Sequence, residues 1–573
     1  MSPSAPEDGL LFIDTQTGQQ SSRPSITHNP LTHNAHAVQA MKLYLGICDR
    51  TISKKQLYFY CVIYDEDKLD EVPPMIYVQD LSLNGTELKR ACTESSTFKP
   101  NTTIRLTKES GSVLLGDGDE LYLTPAIIVR YVSVGYHSKG LLDPLQRNEA
   151  NMFKHQYHVT QRKIGEGGFG HVYVALEPST ARQFACKVIS LSQRSGRNRG
   201  HDSAISTATE KPSNASGVAQ DLVSRKLSSL EREYETIRDL SHPNIIAIEQ
   251  VFLTSHNLYI IQDLITGGDL MSYLELHEGC LDDTLTAVII QQLLKAVDYL
   301  HEKGVVHRDI KPENVLVTSP RPGARVVLTD FGHSRNIVRE QTAHKPENHK
   351  AYRMHSVVGT FDYNAPEVHK RNRLIPANQG YSNAVDMWSI GAITATLLTG
   401  EPPFNDRRNE KFEKDPFQVV MELAAQCDLS YLERNPMWRQ IGARPKAFVR
   451  ALLVLEEEKR MTAKQALQHP WFANHHHAAE FEAVYKRAIR DWKPRQQKSD
   501  LVVRLDAGST LLSVNSLSNC VPKHIPGAVM ERSQYFHQVS SSTEHSLARP
   551  PVPSWAQTSH KRLHTALPDI GGE

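Results

Sequence analysis

Three stretches of this sequence set reactive residue types at spacings suited to handling a phosphate group. In Gly165-Glu-Gly167-Gly168-Phe-Gly170-His-Val172, glycines between two strand-like runs let backbone N–H groups approach phosphate oxygens with no Cβ in the way. Glycine-rich turns also occur only for their permissive φ. The next run, Phe184-Ala185-Cys186-Lys187, alternates so that one lysine points toward the same place and needs an anionic partner. Glu233 is the candidate, on the amphipathic stretch RKLSSLEREYETIRDLSHPNII with Leu230, Tyr234 and Ile237 facing inward; Glu231 and Glu235 compete as solvated alternatives. The densest group is His307-Arg308-Asp309-Ile310-Lys311-Pro312-Glu313-Asn314, followed by VVLTD and Asp330-Phe331-Gly332.

The elements that must position these residues follow from periodicity. From Tyr157 three strand-like runs give way, after about residue 228, to mostly helical pattern as far as Phe472, which predicts an α+β unit of one β-rich and one α-rich lobe. Inside it, residues 191–222 are polar and Gly/Ser-rich and read as a disordered insertion. Ahead of it, LYFYCVIYD, PMIYVQD, ELYLT and AIIVRYVSV alternate with the turn signals LNGT and GDGD, predicting an all-β sandwich over 41–136. Residues 1–40 read as a disordered tail, 137–156 as a linker, and 473–573 as one helix followed by a disordered tail.

Composition narrows the function classes. Across 573 residues, 65 Lys+Arg balance 64 Asp+Glu, so no global charge draws the chain to nucleic acid or to a membrane. No apolar stretch approaches bilayer length, and the opening residues lack a secretory pattern, so an intracellular location is expected. The seven cysteines are scattered without CxxC spacing, which predicts neither a disulfide framework nor a zinc site.

The string from His307 to Asn314 with the downstream Asp330-Phe331-Gly332 resembles the eukaryotic protein-kinase family over residues 157–472. That resemblance implies a bilobal Ser/Thr kinase using ATP and Mg²⁺, with Lys311 two residues past the aspartate pointing to Ser/Thr acceptors. It implies that Asp309 accepts the substrate hydroxyl proton, that Asn314 and Asp330 hold Mg²⁺, and that Lys187 and Lys311 neutralise phosphate charge. Ile164, Gly165, Gly167, Gly170, Val172, Asp263 and Ile265 would line the nucleotide site, with Gln262 as gatekeeper and Glu233 pairing Lys187. Asp386 would anchor the catalytic loop, and Glu367 and Arg460 would form a buried pair.

The same resemblance bears on control and specificity. Arg308, a charge before the catalytic aspartate, implies switching by activation-loop phosphorylation. Ser356 is the regulatory candidate, while Thr360 is placed to orient the catalytic aspartate; Thr342 lies farther away. Asp269 and Glu313 resemble the acidic pair of calmodulin-kinase-like enzymes, implying substrates with Arg upstream of Ser/Thr; Asp269 as a simple helix cap is the plainer alternative.

Asp80-Leu-Ser-Leu-Asn84-Gly85-Thr86, with Gly116-Asp-Gly-Asp119 downstream, resembles the forkhead-associated domain, a sandwich that binds phosphothreonine-containing proteins. By that resemblance Ser53, Lys54 and Asn84 contact the phosphopeptide, while Gln56 replaces a histidine and the family's Gly-Arg strand has no clear counterpart, as if the first strands were altered. The two domains together resemble checkpoint effector kinases. This implies a nuclear role in DNA-damage, replication or meiotic checkpoints, with transient homodimers and trans-autophosphorylation. The competing readings are a calmodulin-dependent kinase, for which FEAVYKRAIRDWKPR is a candidate target helix, and a phosphopeptide-binding scaffold.

Overall fold

The computed structural model describes residues 52–53, 55–63, 72, 74–91, 103–133, 142–167, 170–191, 238, 240–336, 354, 360–376, 378–473, 477–494 and 501–505, and the strand paths at 9–14, 20–23 and 38–41. Ten strands form the N-terminal region: β1 (Gly9–Asp14), β2 (Gln20–Arg23), β3 (Val38–Met41), β4 (Leu57–Val62), β5 (Met75–Asp80), β6 (Thr86–Lys89), β7 (Thr103–Leu106), β8 (Ser112–Leu114), β9 (Glu120–Thr124) and β10 (Ile127–Val132). They make two antiparallel sheets, ordered β2-β1-β10-β9-β6-β7 and β3-β4-β5-β8. Strand alternation fills the space between them: Phe59, Cys61, Ile76 and Val78 from one sheet meet Leu88, Leu106, Leu121 and Val129 from the other.

Residues 1–40 depart from the expected tail. β1 pairs antiparallel with β10 and with β2, in registers such as Leu11↔Arg130 and Leu11↔Ser22. A strand needs only four to six suitable residues, and short runs such as GLLFID vanish in the average over a polar segment. The early strands missing from the sequence reading therefore lie upstream of Met41, while the stretch 42–51, where a Gly-Arg was sought, lies outside the described residues.

The segment 137–156 is likewise more than a linker. It carries α1 (Pro144–Asn151), started by a capping box at Asp143 and by Pro144 at the first turn. The buried Glu149 carboxylate accepts from Asn257 Nδ2 at 2.7 Å and Tyr259 Oη at 3.0 Å, and Phe153 stacks on Phe252 with centroids 4.1 Å apart. These contacts bind α1 to the back of the next sheet.

That sheet comprises β11 (His158–Gly167), β12 (Gly170–Leu176), β13 (Gln183–Ser190), β14 (Ile248–Leu253) and β15 (Asn257–Asp263), in the order β11-β12-β13-β15-β14. At its edge Val502–Arg504 pairs parallel with β14, and Leu505 N donates to Leu253 O. The sequence reading missed this strand; residues 192–222 of the expected insertion and the final residues 506–573 lie outside the described residues.

The larger lobe packs helices Asp283–Glu302, Ala384–Thr399 and Ala443–Leu452 around one apolar core. Ala384–Thr399 is buried all round, so its hydroxyls bond back along the helix, as in Thr394 Oγ1 to Ile390 O. Helix Ala478–Ala488 buries Phe481, Val484 and Tyr485 against Asp283–Glu302, with Lys295 Nζ 3.7 Å from the centre of the Tyr485 ring. Among the described residues no helix is long and apolar enough to cross a membrane.

Candidate active site

The cleft between the lobes gathers side chains from five separate stretches. Its floor is the loop after Val306, held by a carboxylate from a distant helix: Asp386, fully buried, accepts from His307 N at 3.0 Å, Arg308 N at 2.8 Å and His301 Nε2 at 2.8 Å. Burial alone would raise the Asp386 pKa, but the His301 hydrogen bond and the Arg308 N–H hold it below the usual range. The loop pays locally for this shape, because Arg308 sits at φ +70, in the left-handed region that non-glycine residues rarely occupy. Asp330, on a separate segment, shares that region at φ +59. Removing Asp386 would release the hold on His307 N and Arg308 N.

On that floor Asp309 is surrounded. One carboxylate oxygen accepts from Thr360 N at 3.0 Å; the other accepts from Asn314 Nδ2 at 3.0 Å and lies 3.7 Å from Lys311 Nζ. Lys311 Nζ donates to Thr360 Oγ1 at 2.7 Å, so Thr360 joins the lysine to the aspartate. A carboxylate placed this way can accept a proton while the adjacent ammonium stabilises negative charge. His307 lies behind it, its pKa lowered by burial, with its ring 4.8 Å from that of Phe331.

From the β-rich lobe, Lys187 Nζ reaches Asp330 Oδ1 at 2.9 Å. Burial opposes ionisation of Asp330, and Lys187 overcomes it, leaving that pKa lowered. Thr329 N donates to Asn314 O at 2.9 Å, which seats Asp330 next to Asn314. Among the described residues no three His, Cys, Asp or Glu side chains cluster as a metal site. The oxygens of Asn314 and Asp330 are hard donors and fit a Mg²⁺ ion that draws its remaining ligands from water and phosphate.

The glycines divide by cause. A Cβ on Gly170 would come 2.0 Å from Val188 O, so the close approach of β12 to β13 requires glycine there. A Cβ on Gly165 would meet nothing within 4 Å, so packing makes no such demand and the space over that backbone is open. Gly167 ends β11, Ile164 is buried, Val172 half-buried, and Asp263 and Ile265 lie where β15 passes into the large lobe. Glu233 and Ser356 lie outside the described residues.

Arg308 is engaged: Nε donates to His333 O at 2.5 Å and Nη1 to Tyr381 Oη at 3.2 Å, and burial lowers its pKa. Asp269 caps its helix by accepting from Ser272 N at 2.8 Å. The exposed Glu313 carboxyl has a raised pKa; surrounding protein opposes its ionisation and Asp269 and Asp309 add to the effect against Lys311. Glu367 and Arg460 pair at 2.7 Å in full burial.

A second cluster forms at the loop end of the β sandwich. Ser53 Oγ accepts from Leu83 N at 3.3 Å, and Gln56 bridges Ser53 N at 3.0 Å to Thr86 Oγ1 at 3.0 Å. Leu83 is 86% exposed, and Asn84 is exposed beside it. Gly85 adopts φ +81, and a Cβ there would come 2.7 Å from Leu106 O. Arg105, which the sequence reading passed over, reaches in from β7 and donates to Asn84 O at 2.7 Å. Its signal was an exposed basic residue opposite Glu87 and the loop glycine. Lys54 lies outside the described residues.

Residues 157–472, more than half of the chain, match the family model of the protein kinase domain. The chain is 31% identical to the meiosis-specific serine/threonine-protein kinase mek1 of Schizosaccharomyces pombe, over 74% of this chain and 78% of that protein. It is 31% identical to the meiosis-specific serine/threonine-protein kinase MEK1 of Saccharomyces cerevisiae, over 80% of this chain and 86% of that protein. Similarity to the human calcium/calmodulin-dependent protein kinase type IV is 34%, over 54% of this chain and 59% of that protein.

Proposed function

This chain belongs to the protein kinase family, as a Ser/Thr kinase using ATP and Mg²⁺ on protein substrates, and on that premise we propose that it is a meiotic or related checkpoint effector. The observation that carries the reading is the reach of the two similarities. Likeness to the meiosis-specific kinases runs over 436 and 488 residues, beyond the kinase span, whereas likeness to the human calmodulin-dependent kinase runs over 310. Similarity to the meiosis-specific kinases therefore extends past residues 157–472, which supports a role shared beyond the catalytic unit.

In this reading Asp309 takes the proton of the substrate hydroxyl, held by Thr360 and Asn314, and Lys311 stabilises charge beside it. Asn314 and Asp330 would hold Mg²⁺, which when bound neutralises phosphate charge, and Lys187 and Glu233 would orient phosphates under the glycine loop. The carboxyl groups of Glu313 and Asp269 interact in one corner, where an arginine would offset their charge, which supports substrates with Arg upstream of the acceptor. Ser356 is the proposed activating site, in protomers that meet transiently and phosphorylate each other.

The sandwich is proposed to be a forkhead-associated fold that recruits the kinase, in the nucleus, to phosphothreonine-containing proteins. Ser53, Lys54 and Asn84 form the proposed phosphate cage, and Arg105 supplies the guanidinium that the missing Gly-Arg strand would otherwise provide. The test is binding of the full chain to a phosphothreonine peptide library. Phosphate-dependent micromolar binding that is lost in Asn84→Ala is the expected result; equal capture of phosphorylated and unphosphorylated peptides refutes recruitment. The calmodulin reading would require the buried face of Ala478–Ala488 to leave the large lobe, and stimulation of activity by calcium-calmodulin would favour it.

A further inference from the structure

β4 and β5 are buried on both faces. Phe59, Cys61, Ile76 and Val78 fill the sandwich, while Tyr60, Val62, Met75 and Tyr77 point the other way and are no more than 1% exposed. These outward residues join Leu114 in one apolar cluster with Ile164, Val174 and Ala185 of the small lobe, and with Leu264 and Leu276 where the chain passes into the large lobe. An isolated sandwich would expose this face as a contiguous apolar patch.

Polar contacts fix the register. The Gln183 amide meets both backbone groups of Leu114: Nε2 donates to the carbonyl at 2.8 Å and Oε1 accepts from the N–H at 2.9 Å. The side chain thereby closes the free edge of β8. Arg162 Nη1 donates to Leu115 O at 2.6 Å, and its Nη2 lies 3.4 Å from the Met75 sulfur. On the large-lobe side the Arg321 guanidinium lies 5.9 Å from the Tyr58 ring centre, and β3 runs along helix Leu270–Leu276. The sandwich grips both lobes across the hinge, beside the Ile164 and Val172 ceiling of the nucleotide site.

The docked face is imperfect in one respect. Among the described residues the Tyr60 hydroxyl, Gln79 Oε1 and Ser112 Oγ are buried without a well-formed hydrogen bond, the hydroxyl lying beside Ser112 and Thr266. Undocking would return all three to water, which favours release. Apolar burial and unsatisfied polar atoms therefore pull in opposite directions.

We propose that the β sandwich is a reversible strap on the hinge side of the catalytic cleft: docked, it ties the lobes together and slows nucleotide exchange, and undocked it lets the cleft open. Ser53, Leu83 and Asn84 lie outside the docked face, so the inference stands independently of phosphothreonine recognition.

The test uses the full chain with Leu276→Asp on the kinase side and, separately, Gln183→Ala with Arg162→Ala, against Leu374→Asp, an exposed leucine in the large lobe, as control. Release of a fluorescent ADP analogue is followed by stopped flow, and particle size by X-ray scattering. If undocking raises the open fraction from about a tenth to nearly all, release speeds up about tenfold. That acceleration, with a larger radius of gyration in both interface variants and neither change in the control, supports the strap. Expanded particles with unchanged release overturn it, and so do particles that stay compact in both variants.

Discussion

The cluster at Asp309 and the loop end of the sandwich at Ser53 and Asn84, the two sites proposed to meet a phosphate, are constructed in opposite ways. Around Asp309 the polar groups are buried or half-buried, and Arg308 sits at positive φ under support from Asp386. Around Asn84 the side chains stand in solvent on a turn closed by Gly85, with Arg105 leaning on the backbone. Chemistry needs atoms placed before the substrate arrives. Recognition of a flexible peptide works with partners that settle on binding.

The largest effect that would sharpen this contrast is Asp309→Asn. It removes the proton acceptor but keeps a group able to accept from Thr360 N, so kcat falls about 10²–10⁴-fold with little change in melting temperature. A kinetic assay on a peptide substrate alongside a thermal melt reads both, and a variant retaining more than a tenth of the activity would break the assignment. Next is the buried Glu367–Arg460 pair. Arg460→Met strands a carboxylate in the core and should cost about 3–5 kcal/mol by urea unfolding.

A smaller effect tests the acid side of the fold. Burial holds His242 at a pKa of about 4, with its ring stacked 5.2 Å from Tyr299. An unfolded histidine takes up its proton near 6.5, so between that value and 4 the unfolded chain binds the extra proton. Stability is complete above pH 6.5 and falls as pH drops toward 4, by about 2 kcal/mol between pH 7 and 5. His242→Gln should flatten that part of the profile of urea midpoint against pH; an unchanged slope would mean that other groups carry the acid sensitivity. Smallest is Arg105→Ala, which should weaken phosphopeptide binding about tenfold while leaving kcat alone. Titration calorimetry with one phosphothreonine peptide checks it, and equal affinity would return Arg105 to a purely structural role.

Legibility followed the same divide. His307 to Asn314, Lys187 and Asp330 could be read because chemistry restricts both residue type and spacing, and their partners Thr360 and Asp386 were within reach of the same pattern. Arg105 was passed over, since an exposed arginine on a short strand looks like any solvated residue until β7 is seen beside Asn84. The strands Gly9–Asp14 and Val502–Arg504 were lost for a related reason: a few residues of β pattern acquire meaning only from the distant strand that pairs with them.

The run Tyr58-Phe-Tyr-Cys-Val-Ile63 shows where the line falls. The amino-acid sequence by itself determined that both faces of this strand are apolar, as it determined a phosphate-handling cluster and a β-rich region ahead of a two-lobed unit. Only the tertiary structure decided that one face fills the sandwich while the other covers the hinge of the kinase. Side-chain alternation is local and is written in the order of residues. What a face is buried against depends on contacts between segments far apart in the chain, such as Leu114 with Gln183 at one end and Tyr58 with Arg321 at the other, and local pattern carries no record of them.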